Sequence, residues 1–300
     1  MEKIEHIYLD IRDLRLHIAH IGKGELGTVV FLHGFPEIWY TWRHQMIAIA
    51  DAGFRAIAPD FRGYGLSEQP RSRRTLFGTI SSRISSPFWT HSPFQRYHIL
   101  QHQRIQHARV VTLGMPFTPT ASNYCSLPEG FYIKRWREPG RAEADFGRFD
   151  VKRVVRTIYI LFSRSEIPIA EEGQEILDLA DESTPLPAWF SEEDLDAYAA
   201  LYEKSGFKYP LQMPYRALSR LQLAADPKVE VPALLIMGEK DYCLKFPERE
   251  NYIRSGAVKQ FVPDLEITYI PKGSHFVPEQ FPDQVNELIV GFLKSHSQSV

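Results

Sequence analysis

The stretch TVVFLHGFPEIWYTWRHQMIAIADAGFRAIAPDFRGYGLS, residues 28–67, decides the fold. Its first five residues, TVVFL, are an apolar run of strand length that stops at Gly34. Trp39, Trp42, Met46 and Ile49 then recur at spacings of three and four, which is one face of a helix. Gly53 stands where a helix C-terminus is expected. Residues 54–59 (FRAIAP) read as a second strand. Strand, helix, strand in so short a span predicts parallel strands joined by a right-handed crossover.

Working outward, residues 7–11 (IYLDI) and 15–21 (RLHIAHI) read as short strands able to pair across Arg12 to Leu14. Residues 109–113, 233–238 (ALLIMG) and 266–270 (EITYI) continue the strand grammar. A closing helix is expected over Asp283 to Lys294, with Val285, Leu288, Ile289, Phe292 and Leu293 on one face. Between 116 and 225 strand signals vanish and helix patterns take over. Val151 to Phe162 is one such helix. Ser191 to Lys204 is another, with Ser191 as N-cap ahead of Glu192, Glu193 and Asp194. The expected class is therefore α/β, a mostly parallel sheet with an inserted helical cap. The core is assigned to 1–115 and 226–300 and the cap to 116–225.

Composition narrows the partners. The 300 residues carry a formal charge of −2, which gives no reason to expect nucleic acid or an anionic membrane. No signal peptide is visible, and no run of about 18 apolar residues is present to span a bilayer. Two cysteines, Cys125 and Cys243, do not make a disulfide framework, and a cytoplasmic location is expected.

Residues 71–109 differ from everything around them. They hold seven arginines and four of the eleven histidines, and no Asp, Glu or Lys. Nothing acidic occurs between Glu68 and Glu129. A loop of this length is foreign to a compact domain. With permissible codon choices, a shifted frame across Thr79 to Arg96 can spell DLVEDLLAILDTLAISK, an amphipathic helix pattern running toward a strand. The segment is read as a frame disruption with a deletion, from aberrant or mispredicted splicing.

Three sites carry chemistry. His33-Gly34-Phe35-Pro36 lies between strand and helix, where a turn can aim backbone N–H groups at a developing negative oxygen. Asp60-Phe61-Arg62-Gly63-Tyr64-Gly65 closes the next strand, and its acid and arginine are expected to pair structurally. Asp241 and His275 each follow a buried strand, at the sheet edge where α/β proteins place catalysis. An acid followed by a histidine near the C-terminus matches the last two members of an α/β-hydrolase triad. The carboxylate would fix the imidazole tautomer, and the imidazole would activate water.

HGFPEIWYTWRHQM, PDFRGYGLSEQP, LPEGFYIKRW, MGEKDY and GSHF, in this order, resemble the plant-type soluble epoxide hydrolases over roughly 1–70 and 109–300. The resemblance implies the α/β-hydrolase fold and a cap carrying two tyrosines, here Tyr132 and Tyr215, that protonate the opening epoxide oxygen. It implies an oxyanion hole and substrate pocket at His33, Gly34, Phe35, Pro36 and Trp39. It also implies a small-molecule epoxide and water as partners, with no cofactor and no metal. The family's nucleophile is an aspartate at a sharp turn that should lie between Pro70 and Val110, where this sequence has no carboxylate. The competing assignments are a haloalkane dehalogenase, a serine esterase, or a catalytically dead hydrolase-like protein that binds small molecules.

Overall fold

The computed structural model describes residues 3–11, 14–70, 109–118, 126–216 and 227–296. Its strands are β1 (Glu5–Ile11), β2 (Leu14–Ile21), β3 (Thr28–Val30), β4 (Arg55–Pro59), β5 (Val110–Leu113), β6 (Ala233–Gly238) and β7 (Leu265–Ile270). They form two hydrogen-bonded sets, ordered β1-β2-β4-β3 and β5-β6-β7. The β1–β2 and β2–β4 pairings are antiparallel, while β3–β4, β5–β6 and β6–β7 are parallel. Among the described residues β3 and β5 end their respective sets. Of the expected disruption at 71–109, residues 71–108 lie outside the described residues, as do 217–226, where the expected cap boundary falls.

The strand expected from Thr28 is shorter than its apolar run. Regular pairing with β4 ends at Val30, although the Phe31 N–H still donates to the Ile57 carbonyl at 2.8 Å. The crossover helix α1 (Arg43–Asp51) begins later than the periodicity suggests, because Trp39–Trp42 forms a tighter 3₁₀ turn. The predicted face is nevertheless buried throughout: Trp39, Trp42, Met46 and Ile49 all join the core. The helix closes as expected around Gly53, whose N–H donates to Ala50 O at 3.0 Å while Phe54 N–H donates to Ile49 O at 3.1 Å.

Strand β6 is buried along its whole length. Leu234 and Ile236 enter the main core with Ala56 and Ala58 of β4. Ala233, Leu235 and Met237 enter a second cluster with Phe117, Val258 and Leu265. A strand covered on both faces reads as a continuous apolar run rather than an alternating one, which is the ALLIMG pattern.

Within 126–216 the described residues contain helices and turns and no strand. Helices α2 (Tyr132–Arg137) and α3 (Arg141–Phe146) are short. Helix α4 (Val151–Phe162) buries Val154, Val155, Ile158, Tyr159, Leu161 and Phe162. Helix α5 (Glu192–Ser205) starts at a Ser191 N-cap whose hydroxyl accepts the Asp194 N–H at 3.0 Å, as the sequence predicts. The C-terminal part adds α6 (Arg249–Arg254), α7 (Val277–Gln280) and α8 (Pro282–Ser295).

One buried ion network joins the helical block to the core. Arg43 Nη1 donates to Glu279 Oε2 at 2.6 Å and Arg43 Nη2 lies 2.8 Å from Asp194 Oδ1. The phenols of Tyr159 and Tyr198 both donate to Glu279 Oε1, at 3.1 and 3.0 Å. Asp194 therefore serves twice, at the first turn of α5 and as a partner for a core arginine.

Candidate active site

The turns after β6 and β7 are held in contact by backbone. Lys240 N–H donates to Gly273 O at 2.8 Å and Glu239 N–H to Ile270 O at 3.0 Å. A Cβ at Gly238 would stand 2.2 Å from Gly273 O, so only glycine permits this approach. The contact brings together Asp241 and His275, 34 residues apart. His275 Nδ1 lies 3.2 and 3.1 Å from the two carboxylate oxygens of Asp241. Asp241 Oδ1 also accepts the Cys243 N–H at 2.8 Å, which fixes the carboxylate plane. Asp241 is buried, and the His275 side chain is 15% exposed. Burial alone would lower the imidazole pKa, but the Asp241 carboxylate, together with the neighbouring Cys243, outweighs it and holds the imidazole well above its ordinary value.

Tyr132 opens α2, and Tyr215 sits in the π-helical turn Gln212–Arg216. Such turns are rare and are frequent at functional sites. The Arg216 guanidinium fixes this turn against α2 by donating to Trp136 O at 3.0 Å. The two phenol rings are neighbours, with centroids 6.0 Å apart and Trp136 packed 5.1 and 5.2 Å from them. Both side chains are buried. Burial pushes the Tyr215 phenol well above its ordinary pKa, so it is a proton donor at neutral pH.

A third tyrosine connects the phenols to the imidazole. Tyr242 Oη lies 3.0 Å from Tyr132 Oη, and its ring centroid is 5.0 Å from that of His275. Sequence reasoning does not single out Tyr242, although it directly follows Asp241 in the MGEKDY motif. Cys243 carries no motif signal of its own either. Its Sγ lies 3.6 Å from His275 Nδ1.

The remaining expected residues divide. Phe35 packs edge-to-face on Tyr215, with centroids 5.8 Å apart, so the HGFP turn reaches the phenols. Its Phe35–Pro36 peptide is cis, and Gly34 provides the carbonyl that His33 binds. His33 is buried and ties the two strand-end turns together: Nε2 accepts the Phe61 N–H at 3.0 Å, and Nδ1 donates to Gly34 O at 2.9 Å. Trp39 is placed elsewhere. Its ring contacts are with His6, His17 and Tyr40 rather than the phenols, and its backbone N–H donates to Asp60 Oδ1 at 2.9 Å. Asp60 is structural, but its side-chain partner is His17 Nδ1 at 2.8 Å.

Comparison with known proteins gives the family of the chain. The alpha/beta hydrolase fold family matches residues 27–114. "Epoxide hydrolase 1" of Siraitia grosvenorii is 33% identical over 98% of this chain and 99% of its own length. "Epoxide hydrolase A" of Mycobacterium tuberculosis is 29% identical over 95% of this chain and 96% of its own. Among solved structures, an epoxide hydrolase from Vigna radiata superposes with a TM-score of 0.81 at 31% identity, covering 98% of this chain and 99% of that one. The class is thus the α/β-hydrolase fold. Within it, the chain belongs to the soluble epoxide hydrolase family, with plant enzymes among its relatives.

Proposed function

We propose that Tyr132 and Tyr215 hold the oxygen of a small-molecule epoxide and protonate it as the ring opens, while His275, oriented by Asp241, activates water. The observation that carries this reading is the continuity of the site. Tyr132 is hydrogen-bonded to Tyr242, Tyr242 packs on His275, and His275 contacts Asp241. The backbone of the His33-Gly34-Phe35-Pro36 turn is assigned to the developing negative charge, which the contact of Phe35 with Tyr215 supports. The paired phenols favour an epoxide over a haloalkane, because a halide leaving group needs no proton. Water is the second substrate and a vicinal diol the product. A cytoplasmic site of action fits the free Cys243 thiol. Among the described residues no helix is long and apolar enough to cross a membrane.

The family reaction passes through an aspartyl ester, and this chain has no carboxylate between Glu68 and Glu129 to form one. The match to the Siraitia enzyme runs over 322 positions against a chain of 300, which fits a deletion. Loss of a triad nucleophile has cost on the order of a millionfold in turnover in a protease. Direct attack by water forgoes the covalent intermediate and its effective-concentration gain. The purified chain is therefore expected to convert styrene oxide to its diol no faster than buffer. A chain with the aspartate-bearing turn and its flanking helix restored is expected to turn over. Turnover by the unaltered chain that disappears in His275→Gln would overturn the need for the carboxylate. A restored chain that binds styrene oxide without forming diol would favour the small-molecule binder.

A further inference from the structure

Three donor atoms of different chemistry converge beside the sheet edge: a carboxylate oxygen of Asp241, Cys243 Sγ and a ring nitrogen of His275. All lie within 4.8 Å of one another. One imidazole N–H cannot point at three acceptors at once. The distances from His275 Nδ1 reflect this, since both carboxylate contacts stand at the long end for N–H···O bonds, 3.1 and 3.2 Å, with the sulfur at 3.6 Å. A cation placed among them would be approached by all three.

The two separations from the imidazole nitrogen are close to those of a tetrahedral site. Zinc takes nitrogen at about 2.0–2.1 Å, oxygen at about 2.0–2.2 Å and thiolate sulfur at about 2.3 Å, which puts neighbouring N and S ligands about 3.6 Å apart and N and O ligands about 3.3 Å apart. The observed Nδ1–Sγ and Nδ1–Oδ2 separations are 3.6 and 3.1 Å. The ligands are also held in place. The other oxygen of Asp241 is bonded to the Cys243 N–H, and Cys243 lies on the 3₁₀ turn Tyr242–Lys245 that Asp241 caps. Gly114 at the end of β5 packs against the same atoms without a side chain to crowd them; a Cβ there would stand 3.1 Å from Asp241 Oδ2 and 3.3 Å from His275 Nδ1.

We propose that Asp241, Cys243 and His275 form a binding site for a divalent cation of the zinc type, with the fourth position left to water. A thiolate, an imidazole and one carboxylate suit zinc or cobalt, whereas magnesium and calcium take oxygen ligands. Binding releases two protons to solvent, the thiol proton of Cys243 and the proton on His275 Nδ1. An ion seated there occupies the nitrogen that Asp241 otherwise orients and leaves the proton on Nε2, so metal binding and base action by His275 exclude each other, a consequence that rests on the proposed function. The binding itself does not, and its test uses no epoxide.

The test is cobalt titration of the metal-stripped full-length protein. A 1:1 complex with a thiolate-to-cobalt charge-transfer band and tetrahedral visible bands is expected, displaced by zinc and not by magnesium. Cys243→Ser should remove the charge-transfer band and weaken zinc binding by more than the roughly 10–100-fold cost of removing an outer partner. Cys125→Ser should keep both, and circular dichroism matched to the parent protein establishes that each variant folds. If Cys243→Ser does not fold, His275→Gln serves, with loss of tetrahedral visible bands expected. Absence of the band in the parent protein, its loss in Cys125→Ser, or unchanged zinc affinity in the folded ligand variant would overturn the site.

Discussion

The hydroxyl of Tyr132 stands 3.0 Å from that of Tyr242, which joins a residue of the helical block to the loop that carries Asp241. One of these hydroxyls donates and the other accepts, so Tyr242 sets the direction in which Tyr132 can offer its proton. In a chain with the aspartate turn restored, Tyr132→Phe and Tyr215→Phe are each expected to lower kcat on styrene oxide by about 10²–10⁴-fold, the usual worth of a positioned acid. Tyr242→Phe removes only an orienting hydrogen bond and should cost about tenfold or less. Steady-state diol formation measures all three. Unchanged kcat in both Tyr132→Phe and Tyr215→Phe would remove the phenols from the mechanism.

The Asp241–His275 pair makes stability depend on pH. The folded imidazole is held above its unfolded value of about 6.5, so the folded state binds its proton more tightly. That contribution is fully present below about pH 6.5 and is lost as pH rises through the folded pKa. The gap in urea midpoint between the parent protein and His275→Gln should be widest near about pH 6 and narrow at alkaline pH. A gap that widens as pH rises would contradict the sign of the shift.

Arg43 is the cation of the network that includes Glu279 and Asp194. Arg43→Met leaves Glu279 buried with only neutral hydrogen-bond donors, and is expected to destabilise the fold by about 3–5 kcal/mol. Burial already raises the Glu279 carboxyl against the pull of Arg43. Without the arginine its charged form is opposed further, so the loss should be larger at about pH 8 than at about pH 5, where protonation relieves it. Urea denaturation at the two pH values checks both size and direction.

Gly65 approaches the buried Asp60 closely, at a φ of +49°. An added Cβ would lie 2.4 Å from Asp60 Oδ2, the oxygen that binds His17 Nδ1 and the Leu66 N–H. Gly65→Ala combines a left-handed backbone cost of roughly 1–2 kcal/mol with a displaced carboxylate. A fall in thermal midpoint is expected, with Gly173→Ala as comparison, where φ is also positive but no atom lies within 4 Å. Equal losses at the two positions would show that the Asp60 contact adds nothing.

Much of this is legible locally. Helix α4 occupies the residues its periodicity indicates, Ser191 caps α5, and ALLIMG forms β6. The His33, Asp241 and His275 motifs lie at strand ends, as expected. Trp39 shows the limit of such reasoning. It lies next to a catalytic-type motif in sequence, yet the 3₁₀ turn aims its ring at His6 and His17. A side-chain partner of Asp60 is His17, 43 residues earlier, which no local motif indicates.

Most of the elements, their α/β alternation, the family resemblance, and the absence of a carboxylate between Glu68 and Glu129 can be read from residue order, because periodicity, capping chemistry and composition are properties of neighbouring residues. The tertiary structure alone decided which side chains meet. Tyr132 with Tyr242, Cys243 with His275, and Arg43 with Glu279 are 110, 32 and 236 residues apart, and nothing in the local pattern links them. Those contacts come from buried strands and helices packing around shared cores. There a polar side chain must find whatever partner the packing brings within about 3 Å, since leaving it bare costs more than the hydrogen bond returns.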